Sequence, residues 1–381
     1  MWMLGATARS LAGAPPIPRD YYEDPVKVSD TLKLIAVTAG GEHTCALSID
    51  GDTYCWGSGR HEQLGRAELP ETCGNGTFPC SATPVRLEGA PRFTALAASR
   101  GGTCGLDRAG AAHCWGYGLA GRGEDSLPAG SAVPLPVPGD HVFVSLHSSP
   151  AGDRTCGLTP EGEVICWAPS LDGTGGGASA AFTGPERVAT DVRFAAIGYG
   201  TAHGCGIDAS RTVYCWGDNR FGQLGVGASA LAGGMAASVA PIEVQGGLRL
   251  DVVAVGPSYS CGIDAGRFVY CFGLGFPLET PGPPDRQTLA HGALPLQIRV
   301  PSASFTALAA STTQACLLSA EGDAFCFSTS PTVRPAARRA ERVESDEPFV
   351  ALAVGGSHAC AIGADAFAYC WGMSNVRQVG R

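Results

Sequence analysis

Charge is scarce in this 381-residue chain: Asp, Glu, Lys and Arg make up 16% of it, and 26 basic residues face 35 acidic ones. The longest basic run is the pair Arg338-Arg339. The phosphate neutralisation that non-specific nucleic-acid binding requires is therefore missing, and no nucleic-acid partner is expected. No apolar run reaches the roughly 18 residues of a membrane-crossing helix, so no membrane span is expected either. The sequence also lacks a G-x-S-x-G elbow, a P-loop, an H-E-x-x-H pair and an EF-hand loop. His61, His113, His141, His147 and His291 have no partner at metal-ligand spacing. No catalytic residue, cofactor or metal is assigned, and the chain is expected not to be an enzyme.

Cysteine, by contrast, is plentiful and regular. Fourteen of the 16 fall into pairs ten residues apart: Cys45/Cys55, Cys104/Cys114, Cys156/Cys166, Cys205/Cys215, Cys261/Cys271, Cys316/Cys326 and Cys360/Cys370. Midway between the members of each pair lies a three-residue turn, Ile49-Asp50-Gly51 in the first, whose third position is glycine in four copies (Gly51, Gly110, Gly162, Gly322). Glycine there suits the left-handed residue of a hairpin with a G1 bulge. Arg211, Arg267 and Ala366 hold the place in the other copies, which predicts turns that differ in detail. In this register the cysteines oppose each other at a non-hydrogen-bonded site, where Cα atoms approach to roughly 4.5 Å, within reach of a disulfide. Zinc would want closer ligand pairs and more than two thiolates per hairpin, and reduced cysteines could pack as small apolar groups. Seven opposed pairs without a singleton favour disulfides over both. Cys73 and Cys80 would then staple the following loop. An oxidising location follows: extracellular, periplasmic or cell surface.

Six of the hairpins are preceded by a small-residue apolar segment such as Ala95-Leu96-Ala97, and the extended segment that follows usually contains proline, as in Pro241-Ile242-Glu243-Val244. Proline cannot donate to a ladder, so the latter is an edge strand. Four short strands recurring roughly every 45 to 60 residues predict an all-β, seven-bladed β-propeller of four-stranded blades. The seventh unit has no outer strand after its hairpin, and Asp24-Pro25-Val26-Lys27-Val28 supplies a candidate that would pair with the last blade and close the ring. Residues 24–381 are thus read as one propeller. Residues 1–23 are read as a leader, either part of a signal peptide ending near Ala12-Gly13-Ala14 or a disordered segment.

The repeats resemble those of the regulator-of-chromosome-condensation family. Gly40 to His43, Ala46-Leu47, Asp50-Gly51 and Tyr54-Cys55-Trp56-Gly57 form one copy of its pattern. Tyr214-Cys215-Trp216-Gly217-Asp218-Asn219 with Gly222-Gln223-Leu224-Gly225 is the fullest match. The resemblance implies the seven-bladed ring and leaves open a choice among its members' activities: guanine-nucleotide exchange on a small GTPase, or binding and inhibition of other proteins. The paired cysteines depart from the nuclear members and favour a monomeric, exported, non-enzymatic scaffold that binds another protein. Exchange activity is the alternative, and a propeller hydrolase or lyase a further one. His43, His203 and His358 recur two residues before a cysteine and are read as structural hydrogen bonders, because a catalytic group would be singular. The aromatics after the second cysteines (Trp56, Trp115, Trp167, Trp216, Phe272, Phe327, Trp371) are read as packing between blades. What varies is the connection after each hairpin, at 58–82, 117–135, 169–184, 218–240, 273–294 and 328–340. Phe78, Tyr117, Phe221 and Phe276 in these loops are the candidate partner-binding residues.

Overall fold

Short apolar strands, each too narrow to bury both of its faces alone, assemble into seven antiparallel sheets arranged as a propeller. The computed structural model describes residues 21–74, 76–117, 131–167, 185–227, 234–274, 292–298, 300, 304–312, 314–329 and 340–380. Among these, every regular element is a strand. The inner strands, from Leu34–Ala39 in the first blade to Phe349–Val354 in the seventh, line a central channel. Its walls carry small and medium apolar side chains, including Val37, Leu96, Leu146, Val253, Leu308 and Leu352, around a cavity of about 240 Å³. Blade 1 gains a fifth strand because Glu71–Cys73 pairs outside Phe78–Arg86.

Ring closure follows the expected scheme. Tyr21–Lys27 is the outer strand of the last blade, with Val26 opposite Cys370 and Lys27 opposite Tyr369. It is longer than the sequence suggests, continuing past an irregularity between Tyr22 and Val26 to place Tyr21 opposite Met373. One sheet therefore contains both ends of the described chain, and two free edges disappear.

All seven ten-residue cysteine pairs are directly opposed and disulfide-bonded, with Cα atoms 4.0 to 4.1 Å apart. An eighth bond joins Cys73 to Cys80, and no cysteine is free. The seven bonds do more than staple hairpins, because each lies buried in the layer between two blades. Trp56 of blade 1 packs on Cys360 and Cys370 of blade 7, and Trp115 of blade 2 on Cys45 and Cys55 of blade 1. The rule continues round the ring: Trp167 on Cys104 and Cys114, Trp216 on Cys156 and Cys166, and Phe272 on Cys205 and Cys215. Phe327 on Cys261 and Cys271, and Trp371 on Cys316 and Cys326, complete it. Truncating such a buried aromatic typically costs about 3–5 kcal/mol.

The linkers add a backbone latch. The residue that opens an inner strand donates to the hairpin tip of the preceding blade: Phe93 N to Gly51 O, Phe194 N to Gly162 O, Leu34 N to Ala366 O.

The hairpin turns correct one expectation. Arg211, Arg267 and Ala366 do not sit in different turns; they adopt the left-handed conformation of the glycine copies, with φ of 67°, 67° and 64°. They also make the same closing bond, as in Arg211 N to Asp208 O and Ala366 N to Gly363 O. The turn is dictated by the directly opposed register and by the linker that docks on its tip, and local compensation offsets the strain. Asp208 Oδ1 accepts from the amides of Ser210 and Thr212, and Arg211 pairs with Asp251 at 3.0 Å. Ala366 has no side-chain pairing of that kind, and a left-handed Cβ costs about 1–2 kcal/mol. Ala366→Gly is therefore expected to raise stability by about 0.5–1 kcal/mol after the entropy that glycine loses on folding; a lower urea midpoint for the variant would contradict this account of the turn.

Candidate binding site on the loop face

Among the described residues, the antiparallel order places the turns from first to second strand and the ends of the third strands on one face, and the hairpin tips and inter-blade linkers on the other. Ser58 N bonded to Glu42 O ties the two loop-face connections of blade 1 together at 2.9 Å. Near the channel, first-to-second-strand turns of successive blades join through backbone bonds: Gly356 N to Gly40 O, Gly41 N to Ser99 O, and Arg100 N to Gly152 O.

The recurring histidines belong to this scaffold. His43 Nε2 meets Thr103 Oγ1 at 2.8 Å, His358 Nε2 meets Thr44 Oγ1 at 2.8 Å, and His203 Nε2 meets Ser260 Oγ at 3.0 Å. Each partner hydroxyl lies on the next blade, one residue before its first cysteine. The Gly-x-x-His spacing has a steric reason, since a Cβ on Gly40 or Gly355 would fall 2.2 or 2.3 Å from the imidazole of His43 or His358. Burial pushes the pKa of His43 down to about 3, helped by nearby His358 and His61. Burial likewise takes His203 and His358 down to about 4.

A second latch uses Gln63, Gln223 and Gln378, all at most 2% exposed. Each side-chain Oε1 accepts an amide two residues earlier, from His61, Phe221 and Val376 respectively. Their carbonyls reach across to the next blade: Trp115 Nε1 donates to Gln63 O at 3.0 Å, Trp56 Nε1 to Gln378 O at 3.1 Å, and Ser260 Oγ to Gln223 O at 3.1 Å. Gln63-Leu64-Gly65, Gln223-Leu224-Gly225 and Gln378-Val379-Gly380 share a local pattern, but nothing local in it reveals that the contact crosses to another blade.

The four candidate aromatics are not equivalent. Phe78 is 8% exposed, packed with Cys73, Cys80 and Val376 and covered by the Arg60 guanidinium 4.2 Å from its ring centroid. It plugs the stapled loop and does not present its ring to a partner. Phe221 is half-buried on the loop-face rim, and Phe276 lies outside the described residues. Tyr117 lines a cavity of about 400 Å³ between blades 1 and 2, together with Gly41, Glu42, His61, Gln63, Arg100 and Gly101. Its ring centroid is 5.0 Å from that of His61 at 47°. Arg100 is fixed by two bonds to Asp153, at 3.2 Å from Nε and 2.6 Å from Nη2. His61, Glu42 and Arg100 were not singled out as binding residues from sequence, because they come together only through the packing of two blades. Among the described residues no group of three or more His, Cys, Asp or Glu side chains could hold a metal ion.

The family model for the regulator of chromosome condensation (RCC1) repeat matches residues 34–63 and 194–223, the first and fourth units. Two of its seven units thus match the RCC1 repeat. Among curated proteins it is 25% identical over 255 residues to the ultraviolet-B receptor UVR8 of Arabidopsis thaliana, covering 63% of this chain and 53% of the receptor. It is 27% identical over 279 residues to the mitochondrial RCC1 domain-containing protein RUG3 of the same plant, covering 70% of this chain and 59% of RUG3. The chain thus spans little more than half the length of these curated relatives. Among solved structures, yeast RCC1 (Prp20) bound to Kap60 superposes with a TM-score of 0.68 at 20% identity, covering 89% of this chain and 80% of that one. Human WBSCR16 gives 0.69 at 18% identity over 97% and 94%. At such identities the structural likeness speaks to the RCC1 fold alone.

Because the three latch histidines stay neutral when folded but titrate near 6.5 when unfolded, the unfolded chain binds more protons between about pH 6.5 and 4. Stability from this source is fully present above that window. It falls as pH drops through it, by up to about 1.4 kcal/mol per pH unit for each histidine. Urea midpoints from pH 8 to pH 4.5 should decline below pH 6.5, and His203→Gln should flatten the decline; a pH-independent wild type would contradict it.

Proposed function

We propose that this protein is a non-enzymatic, exported binding scaffold that receives another protein on the loop face of the ring, at the cavity between blades 1 and 2. The observation that carries this reading is the composition of that cavity. It gathers Tyr117, His61, Glu42 and Arg100 on the face from which the variable loops emerge, whereas the other recurring polar groups, the histidines and glutamines, are used up in holding neighbouring blades together. Eight disulfides support export, since bonds of this number persist in oxidising compartments. The relatives support a role in protein association: yeast RCC1 (Prp20) has been solved bound to Kap60, and Prp20p is described as binding Gsp1p and histones. Nucleotide exchange on a small GTPase is the competing reading, favoured by those same neighbours.

Site-specific photo-crosslinking separates the two. A benzophenone amino acid placed at Tyr117, or at Phe268, which is 52% exposed on a hairpin tip of the opposite face, would be activated in the native extracellular or surface fraction. The expected result is one discrete crosslinked protein from position 117 and none from 268. Crosslinking confined to 268, or capture of a GTPase whose nucleotide release the protein accelerates, would overturn the proposal.

A further inference from the structure

The three glutamine loops of the ring form an internal comparison. Each has the same frame: Trp56, Trp216 or Trp371, then glycine, then five residues, then Gln63, Gln223 or Gln378. A left-handed residue precedes each glutamine, Glu62 at φ 63°, Gly222 at 77° and Arg377 at 67°. In all three the glutamine Oε1 is committed to the backbone of its own loop. The amide nitrogen differs. Gln223 Nε2 donates to the carboxylate of Asp218 at 3.0 Å, and Gln378 Nε2 donates to the carboxamide oxygen of Asn375 at 2.9 Å. Blade 1 has lost both acceptors: Ser58 stands at the place of Asp218, and Arg60 at the place of Asn375. Gln63 Nε2 makes no hydrogen bond to another described residue, and Gln63 lines the cavity between blades 1 and 2. A guest that brings an acceptor can take the place that Asp218 and Asn375 fill in the other two loops.

The rest of the cavity specifies which acceptor. The guanidinium of Arg100 is neutralised by Asp153, so it forms a fixed wall and not an open cationic contact. Glu42 is exposed, lines the cavity, and makes no ion pair among the described residues. A carboxylate guest would face Glu42 with like charge. A carboxamide matches both groups, its oxygen accepting from Gln63 Nε2 and its NH₂ donating to the Glu42 carboxylate. The inclined rings of His61 and Tyr117 offer a flat apolar side against which a planar amide can lie.

From this we infer that the blade 1–blade 2 cavity is a carboxamide-binding site, built to take an asparagine or glutamine side chain in place of the acceptor that the repeat has lost. The site stands on the pocket's own chemistry. That the side chain arrives on a protein rests on the binding reading given above.

The test uses the full disulfide-bonded chain labelled with ¹⁵N on glutamine side chains, following the Gln63 NH₂ resonances during titration. The probes are free L-glutamine, acetyl-Ala-Gln-Ala, and the corresponding L-glutamate and acetyl-Ala-Glu-Ala. Saturable shifts with a glutamine probe, at least ten-fold tighter than with its glutamate counterpart, support the site. Binding of the peptide points to a protein source. Binding of free glutamine alone supports the site but counts against its use in protein docking. Two variants restore an internal acceptor copied from the other blades: Arg60→Asn, at an exposed position, and Ser58→Asp, at a buried one. Arg60→Asn is expected to weaken glutamine binding at least ten-fold in a chain that stays folded despite losing the guanidinium over Phe78, and Ser58→Asp should weaken it likewise wherever it folds. Equal response to glutamine and glutamate probes, no response to any probe, or full binding by Arg60→Asn would overturn the inference.

Discussion

Everything in this ring depends on one repeated contact, the seating of an aromatic side chain on the disulfide of the blade before it. A sheet of four short strands has little to bury, and its two faces must be covered by neighbours. Here the cross-strand disulfide sits at the centre of one face, held flat by the directly opposed register. The Trp or Phe that follows the second cysteine projects from the other face onto the disulfide of the preceding blade. The same pair of positions therefore closes each hairpin covalently and provides the apolar layer between blades. No disulfide links one blade to another, so the integrity of the ring rests on these seats, on the His-to-hydroxyl and Gln-to-indole bonds beside them, and on the closing strand Tyr21–Lys27.

This arrangement also explains why function is to be sought where the pattern lapses. Groups that recur in register are committed to their neighbours. His43, His203 and His358 are fully buried, and the indoles of Trp56 and Trp115 are spoken for by glutamine carbonyls. Blade 1 keeps the glutamine but not the acceptor for its amide, and the cavity beside it is lined by Glu42, His61, Arg100 and Tyr117. A repeat protein evolves specificity by such local departures, because the scaffold tolerates the loss of one internal hydrogen bond out of many.

How much of this could be read from sequence followed from the range of the interaction concerned. Cys45 opposite Cys55, and its six counterparts, were legible because strand periodicity and a three-residue turn fix register locally. The closing strand was legible from a missing element at one end and a spare one at the other. The left-handed conformation of Arg211, Arg267 and Ala366 was not, since composition argues against it and the deciding force is the linker of the next blade docking on the turn. Phe78 looked like an exposed aromatic in a variable loop, but the Cys73–Cys80 bond folds that loop over it. The cavity at Gln63 had no signature at all, because His61 and Gln63 meet Tyr117 only across a blade boundary.

The central claim is most directly tested by a double-mutant cycle at the boundary between blades 4 and 5. The Cys205–Cys215 bond would be replaced by alanines, alone and combined with Phe272→Leu, the aromatic seated on it, and separately with Trp216→Leu, which belongs to the same blade but faces Cys156 and Cys166. Equilibrium urea unfolding should show a coupling of about 1 kcal/mol or more between the disulfide and Phe272. It should show near-additivity between the disulfide and Trp216. Additivity with Phe272, or coupling to Trp216 instead, would mean that the disulfides hold their own hairpins only and that the blades are joined by something else.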